Sequence, residues 1–206
     1  MRETTTIGAL LLLLTMACAK QEAEPAASTA APTQPSSTGG TAGFALQRAH
    51  GEESTGAAAS GLTFDLPAAW QRDTPSSAMR LAQATVPGAG GAGELAVFYF
   101  GPGQGGGVEN NFERWLGQVQ SDGGAKPERG NFEAGGFRVS WIDARGTLLP
   151  SGMGSGPATP QPGSRLLGAV VEGEGGPWFF KLTGPDATLA AEREAFLALL
   201  RSVRRP

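Results

Sequence analysis

The sequence predicts an α+β fold: a single antiparallel sheet of about six strands with an amphipathic helix packed on each face, in the order βββαβββα. Three observations predict this α/β/α sandwich. Short segments that alternate apolar and polar residues are joined by glycine-rich turns, which is typical of antiparallel pairing. Two longer segments repeat apolar residues at helical spacing. Some strands are apolar on both sides, so a layer must cover each face of the sheet.

Three strands are predicted at the start of the domain, over residues 62–66, 79–86 and 94–100. The first alternates apolar with polar residues and stops at Pro67. The second and third are joined by a glycine-rich loop over residues 87–93. The third strand is apolar on both sides, which predicts a central position in the sheet.

The first helix is predicted after the glycine-rich segment that follows the third strand. Its apolar stripe comprises Val108, Phe112, Trp115, Leu116 and Val119. Gly123 and Gly124 are expected to end this helix. If the stripe covers the sheet, the Trp115 indole is buried and its N–H group has a partner nearby.

The second half of the domain is predicted to contain further strands and a long loop. A half-exposed strand is centred on residues 137–141 and could extend over residues 132–149. The loop over residues 150–164 contains four prolines and four glycines, and it is expected to be mobile. Residues 165–172 and 177–183 then form a hairpin.

The closing helix is predicted to begin near Asp186, which is a favourable N-cap residue. Its apolar stripe comprises Leu189, Phe196, Leu199, Leu200 and Val203, and its exposed face carries Glu192, Arg193, Glu194 and Arg201. The domain's one basic cluster is Arg201, Arg204 and Arg205. Because cations favour the C-terminal end of a helix dipole, this cluster is expected to be structural.

By this order of elements, residues 62–203 resemble the PsbP and Mog1 group, small antiparallel sheets with a helix on each side. The resemblance rests on topology and apolar pattern, without a specific motif, and no functional residue carries over. Members of that group serve as assembly or binding factors. The resemblance therefore implies a non-enzymatic role.

The N-terminus has the pattern of an export signal. Arg2 supplies positive charge, residues 7–14 form a short apolar run, and Ala17 is a small residue at the cleavage point. The sequence around Cys18, the only cysteine, resembles the lipobox of bacterial lipoprotein precursors. In that family the cysteine becomes the first mature residue and carries the lipid, although Thr15 stands where the family prefers Leu, Val or Ile.

This resemblance implies a signal peptide over residues 1–17, a lipid-anchored tether over residues 18–60 and a single domain over residues 61–206. The tether is too poor in large apolar residues to offset the entropy of ordering it. Ala19 stands where some bacteria use Asp as a retention signal. Its presence favours the outer membrane, on the periplasmic side, over the inner membrane.

Two other interpretations of the N-terminus stay open. Residues 17–19 form an A-x-A pattern, and cleavage after Ala19 would release a soluble secreted or periplasmic protein that begins at Lys20. A transmembrane helix is the other alternative, but the apolar run falls well short of the roughly 20 residues that a bilayer requires.

Charge and composition restrict the partners of the domain. From residue 61 onward, thirteen Lys and Arg stand against fourteen Asp and Glu, so neither sign dominates. Without a basic stripe interleaved with aromatic residues, nucleic acid is not an expected partner. We expect a monomer whose partners are the membrane, through lipid on Cys18, and an unidentified envelope protein or polymer.

Residues 101–106 match the dinucleotide pattern G-x-G-x-x-G between a strand and a helix. About 20 residues further on, where an acidic residue should bind ribose, residues 126–128 lie in a loop, and no repeated βαβ unit follows. A Walker A loop is excluded because Gly107 and Val108 replace the required Lys and Ser or Thr. No cofactor is therefore expected, although the start of the helix could hold an anion.

Nucleophilic catalysis has few candidate residues. His50, the only histidine, lies in the tether, so neither Ser76 nor Ser77 has a histidine base and a zinc site lacks its usual ligands. The carboxylates that could meet in three dimensions are Asp65, Asp73, Glu94 and Asp143. No spacing selects two of them.

The aromatic residues Trp178, Phe179 and Phe180 could form a binding strip, but they alternate between strand faces, so at least one side is expected to be core.

The sequence predicts a lipid-anchored binding, structural or assembly module of the cell envelope without intrinsic catalysis. The alternative is an envelope hydrolase with an Asp and Glu pair. An apolar or aromatic patch would favour the first, and two carboxylates about 5 to 10 Å apart in a cleft would favour the second.

Overall fold

The structure is a computed structural model that describes residues 61–150 and 157–206. Its strands are β1 (Gln71–Asp73), β2 (Arg80–Val86), β3 (Gly93–Tyr99), β4 (Val119–Ser121), β5 (Glu128–Ala134), β6 (Phe137–Leu148), β7 (Gln161–Glu172) and β8 (Trp178–Pro185). Its α-helices are α1 (Val108–Leu116) and α2 (Asp186–Arg201), and a short 3-10 turn, Asp122–Gly124, follows β4. The predicted signal peptide, Cys18 and the tether lie outside the described residues.

All eight strands belong to one antiparallel sheet, which confirms the predicted α+β class with more strands than the expected six. The strand order is β1-β2-β3-β8-β7-β6, and the outer edge of β6 pairs with β5 along one part and β4 along another. Because β3 pairs with both β2 and β8, it is the central strand that its sequence predicts.

The alternation along β8 divides the core between the two faces of the sheet. Trp178 and Phe180 belong to a cluster that includes residues of α2, whereas Phe179 packs in a second cluster with Phe112 and Trp115 of α1. Each face is therefore covered by one helix, as predicted. The three adjacent aromatic residues of β8 are all buried, so they do not form a binding strip.

The predicted strand over residues 62–66 is wrong. Leu62 and Phe64 are buried, which explains the alternation, but only Thr63 pairs, in a single bridge to Arg204. The backbone N–H of Thr63 donates to the carbonyl oxygen of Arg204 over 2.9 Å, and the N–H of Arg204 donates to the carbonyl oxygen of Thr63 over 3.0 Å. The sheet instead begins at β1, whose three residues are too few to produce a detectable period.

The predicted first helix is too long at its C-terminal end. It ends at Leu116 because Gly117 caps it, its N–H donating to the carbonyl oxygen of Glu113. Val119, which the sequence places on the helical stripe, lies instead in β4 and pairs with Leu148 of β6. Pairing of β4 with the distant strand β6 therefore takes the place of the predicted last turn of the helix.

The segment over residues 132–149 is two strands rather than one, because β5 folds back onto β6 through Gly135 and Gly136. A Cβ on Gly135 would lie 2.1 Å from the carbonyl oxygen of Val203, so the turn requires glycine there. The predicted loop over residues 150–164 is also too long. β7 begins at Gln161, and residues 151–156 lie outside the described part of the chain.

Asp186 is the first residue of α2 and does not cap it, since Pro185 occupies the N-cap position without a side-chain cap. Two residues predicted to be exposed on α2 are half-buried. Glu192 accepts a hydrogen bond from the Trp70 indole over 2.8 Å, and Arg193 contacts the sheet. No helix among residues 61–150 and 157–206 is both long and apolar enough to cross a membrane.

Candidate functional site

Helix α1 covers only part of its face of the sheet. Trp115 packs directly over Gly168 of β7, and the helix also contacts β4 and β6. On the same face, the register of β2, β3 and β8 places two rows of side chains beside the helix, Gln83–Ala96–Lys181 and Thr85–Glu94–Thr183. We call this surface, together with Arg80, the polar face.

A cleft of about 870 Å³ opens at the end of the polar face. Arg80, Glu94, Ser76 and Thr183 contribute to its wall, with glycines and prolines from the segments before β3, within early β7 and before α2. Its volume falls within the roughly 300 to 1,000 Å³ typical of small-molecule sites. The cleft is therefore large enough for a small ligand or the end of a polymer.

Two side chains hold Glu94 in a fixed position at the cleft. The Arg80 Nη1 atom donates to Glu94 Oε1 and Gln83 Oε1, each over 2.8 Å, and Gln83 Nε2 donates to Glu94 Oε2 over 3.2 Å. The Arg80 side chain is 7% exposed and that of Glu94 is 47% exposed. The arginine is thus part of the wall, whereas the carboxylate is open to solvent.

Lys181 lies at the β8 end of its row and is only 5% exposed. Its Nζ atom donates to Gln118 Oε1 over 2.6 Å. Burial, with a smaller contribution from the positive charges of Arg114 and Arg80 that Glu94 partly opposes, lowers the pKa of Lys181 to about 8. This lysine is therefore able to lose its proton close to physiological pH.

The lowered pKa predicts that Lys181 makes stability depend on pH. The unfolded chain binds more protons than the folded chain between pH 8 and 10.5, so the free energy of unfolding rises across that window. The charged lysine costs about 3 kcal/mol below pH 8, and this cost disappears above pH 10.5. Urea unfolding of wild type and Lys181→Met at several pH values measures it.

In the Lys181→Met variant the rise assigned to the lysine should be lost. Lys126→Met, a change of an exposed lysine, provides the matched control and should keep the wild-type pH profile. Parallel pH profiles for wild type and Lys181→Met would show that the lysine is not held in this way.

The structure does not bring the four candidate carboxylates together. Asp65 pairs with Arg204 over 2.9 Å, and Asp73 accepts a hydrogen bond from Thr85 over 2.7 Å. Glu94 lies at the cleft, and Asp143 lies on the opposite face, where it contacts α2. Among the described residues that line the cleft, Glu94 is the one carboxylate.

Asp143 is the centre of a buried ion-pair network. It accepts hydrogen bonds from Arg165 Nε over 2.7 Å and Nη2 over 3.2 Å, and from Arg193 Nε over 2.9 Å. The two arginines also pair with Asp186 and Glu128, respectively. These contacts join α2 to β5, β6 and β7, so the network has a structural role.

The network also affects the basicity of Arg165. Burial acts to lower the pKa of its guanidinium, but the hydrogen bond from Arg165 to Asp143 and the nearby negative charges outweigh burial and raise the pKa. Arg165 therefore stays charged, as its contacts require.

The glycine-rich segment over residues 101–106 connects β3 to α1, but β3 has antiparallel neighbours and no βαβ unit is formed by the described strands. The buried Asn111 side chain donates to the carbonyl oxygens of Gly105 and Gly107, each over 2.9 Å. A Cβ on Gly105 would lie 2.4 Å from the Phe179 ring. Packing of this loop against the sheet thus explains Gly105.

Trp115 is 4% exposed, which confirms its predicted burial. The expected partner of its indole N–H is not found within residues 61–150 and 157–206.

Ser76 lies in the wall of the cleft, where its backbone N–H donates to Gln83 Oε1 over 2.9 Å. His50 lies outside the described residues, and within those residues no group of three His, Cys, Asp or Glu side chains is placed to hold a metal ion.

An aromatic patch lies beside the polar face. Phe100 is 38% exposed, and its ring centroid lies 6.1 Å from that of Phe98 and 5.8 Å from that of the buried Phe179. An exposed aromatic patch is the feature expected of a binding module rather than of a hydrolase. It is small, however, because Phe98 is itself half-buried.

No protein-family model and no curated protein matches this chain. The chain is similar to the solution structure of cyanobacterial PsbP (CyanoP) from Synechocystis sp. PCC 6803, with a TM-score of 0.47, 12% identity, and coverage of 72% of this chain and 88% of that one. It is also similar to the protein of unknown function PA94 from Pseudomonas aeruginosa, with a TM-score of 0.41, 16% identity, and coverage of 70% and 98%. At this level of similarity no activity or residue role carries over.

Proposed function

We propose that this protein is a lipid-anchored binding or assembly module of the bacterial cell envelope, without intrinsic catalysis. The observation that supports a binding role is the open cleft at the polar face, which has the size of a small-ligand site. The lipobox-like sequence that ends at Cys18 supports attachment to a membrane, with the outer membrane favoured. The partner is an envelope protein or polymer.

The arrangement of carboxylates supports binding over hydrolysis. A glycosidase of the usual kind needs two carboxylates on either side of the scissile bond, about 5 to 10 Å apart. The described wall of the cleft contributes Glu94 alone, and Arg80 and Gln83 already hold that carboxylate. Asp143, the most buried of the four, is occupied by two arginines on the other face.

Replacing Cys18 with alanine is expected to abolish lipid attachment. A single acyl chain gives only marginal membrane binding, so if Cys18 carries two or more chains, wild-type protein should remain in the membrane fraction. The Cys18→Ala variant should lose palmitate labelling and should not be processed at that site. Fractionation of cells, palmitate labelling and determination of the mature N-terminus measure these effects.

Thr15→Leu is the matched control, because it restores the residue type that the lipoprotein family prefers at that position. This variant should be labelled and processed at least as well as wild type. Wild-type protein found wholly in the soluble fraction, with a mature end at Lys20, would contradict the anchor and support a soluble exported protein. Crosslinking in living cells, with wild type and Cys18→Ala in parallel, identifies the envelope partner.

A further inference from the structure

Arg80 has hydrogen-bonding groups that its neighbours in the described part of the chain do not use. Its side chain is 7% exposed, and both of its hydrogen bonds come from the Nη1 atom. Its Nε and Nη2 atoms have no partner within residues 61–150 and 157–206. A buried guanidinium normally has its donors satisfied, because leaving a charged donor unpaired is costly.

The unused donors belong to a residue that lines the cleft. We infer that the cleft binds a small anionic ligand, or the anionic end of a polymer, through a carboxylate or phosphate group held by Arg80 Nε and Nη2. A guanidinium offers parallel donors that match two oxygens of such a group. This inference rests on the proposed binding function and names the chemistry of the ligand.

An anion at Arg80 would lie close to a second cation, Lys181. Glu94 and Arg80 are the charged residues of the described wall, and they neutralise each other. Lys181 lies in the adjacent row of the polar face, and both Arg80 and Arg114 are close enough to it to disfavour its charged form. A negative group beside Arg80 would reduce this repulsion among the three cations.

The shape of the cleft is also suited to a small ligand. Gly90, Gly163 and Gly184 contribute to its wall. At Gly163, a Cβ would have no atom within 4 Å, which indicates open space next to this part of the wall. A ligand at Arg80 therefore has room next to Gly163.

The experiment is a titration of the purified full-length chain in detergent with inorganic phosphate and, separately, with succinate, followed by NMR at constant ionic strength with chloride as the reference anion. The arginine Nε–H signal of Arg80 should shift on addition of the ligand. Arg80→Met should weaken binding about tenfold or more. The relative affinities of phosphate and succinate identify which of the two groups the natural ligand carries.

Two further variants make the test independent of the stability of Arg80→Met. Glu94→Gln removes the nearest negative charge but leaves an acceptor for Arg80 Nη1, so it should tighten binding. Arg72→Met, which removes an exposed arginine from β1, should leave the affinity unchanged.

Failure of both anions to bind, or equal affinities in wild type, Arg80→Met and Glu94→Gln, would overturn the inference. The proposed membrane attachment and its crosslinked partner would be unaffected by that result, because fractionation and crosslinking test them separately.

Discussion

Replacing Trp115 with alanine should lower the free energy of unfolding by about 3 to 5 kcal/mol, the usual cost of removing a buried aromatic side chain. The indole is 4% exposed and packs against Phe112, with ring centroids 6.0 Å apart. It also covers Gly168, where a Cβ would lie 2.5 Å from its ring. Because Gly168 has no side chain to fill the space that the indole occupies, truncation of Trp115 leaves a cavity between α1 and β7.

Urea unfolding followed by circular dichroism measures this loss, since a fluorescence signal would change with the tryptophan itself. Trp115→Phe is the conservative variant and should lose clearly less than Trp115→Ala. Phe100→Ala, at an aromatic residue that is 38% exposed, should also have a small effect. A loss below about 1 kcal/mol for Trp115→Ala would mean that the aromatic side of α1 does not pack on the sheet.

Replacing Asp143 with alanine should destabilise the domain by about 3 to 5 kcal/mol, because it removes the buried partner of two arginines. The side chain of Asp143 is 2% exposed, and those of Arg165 and Arg193 are 14% and 25% exposed. Without this carboxylate, Arg165 and Arg193 keep their more exposed partners, Asp186 and Glu128, but lose the buried acceptor that they share. Thermal and urea unfolding at neutral pH measure the effect.

The exposed pair between Asp65 and Arg204 supplies the control. Its side chains are 69% and 52% exposed, and an exposed ion pair contributes no more than about 1 kcal/mol. Asp65→Ala should therefore be nearly neutral. If the two aspartate variants lost similar amounts of stability, the network around Asp143 would not be the clamp that joins α2 to the sheet.

The fold class was predictable because the buried layers leave periodic traces in the chain. The two-residue period of β3 and β8 and the stripe of α2 each correspond to side chains that pack on one face. The errors occurred where pairing is decided by a distant segment. Val119 left the helix to pair with Leu148, and residues 62–66 pack without entering the sheet.

Little of the candidate site was predictable from sequence. From the sequence, Glu94 is one of four carboxylates that could pair, and Ser76 is a serine without a histidine base. Arg80 and Lys181 appear as ordinary polar positions at strand ends and in alternating strands. Nothing local shows that burial would lower the pKa of Lys181 or leave donors of Arg80 unused.

The sequence by itself determined the class of fold, the two helical stripes and the alternation of the β8 aromatic residues between the two faces of the sheet. These features depend on residues that are close in the chain, so local spacing is sufficient to reveal them. Only the tertiary structure decided that Asp143 is clamped by arginines of β7 and α2, and that Arg80 and Glu94 meet in a cleft with the segment before α2. Those groups come from strands far apart in sequence, and their burial, charge and partners arise from sheet register, which no local pattern specifies.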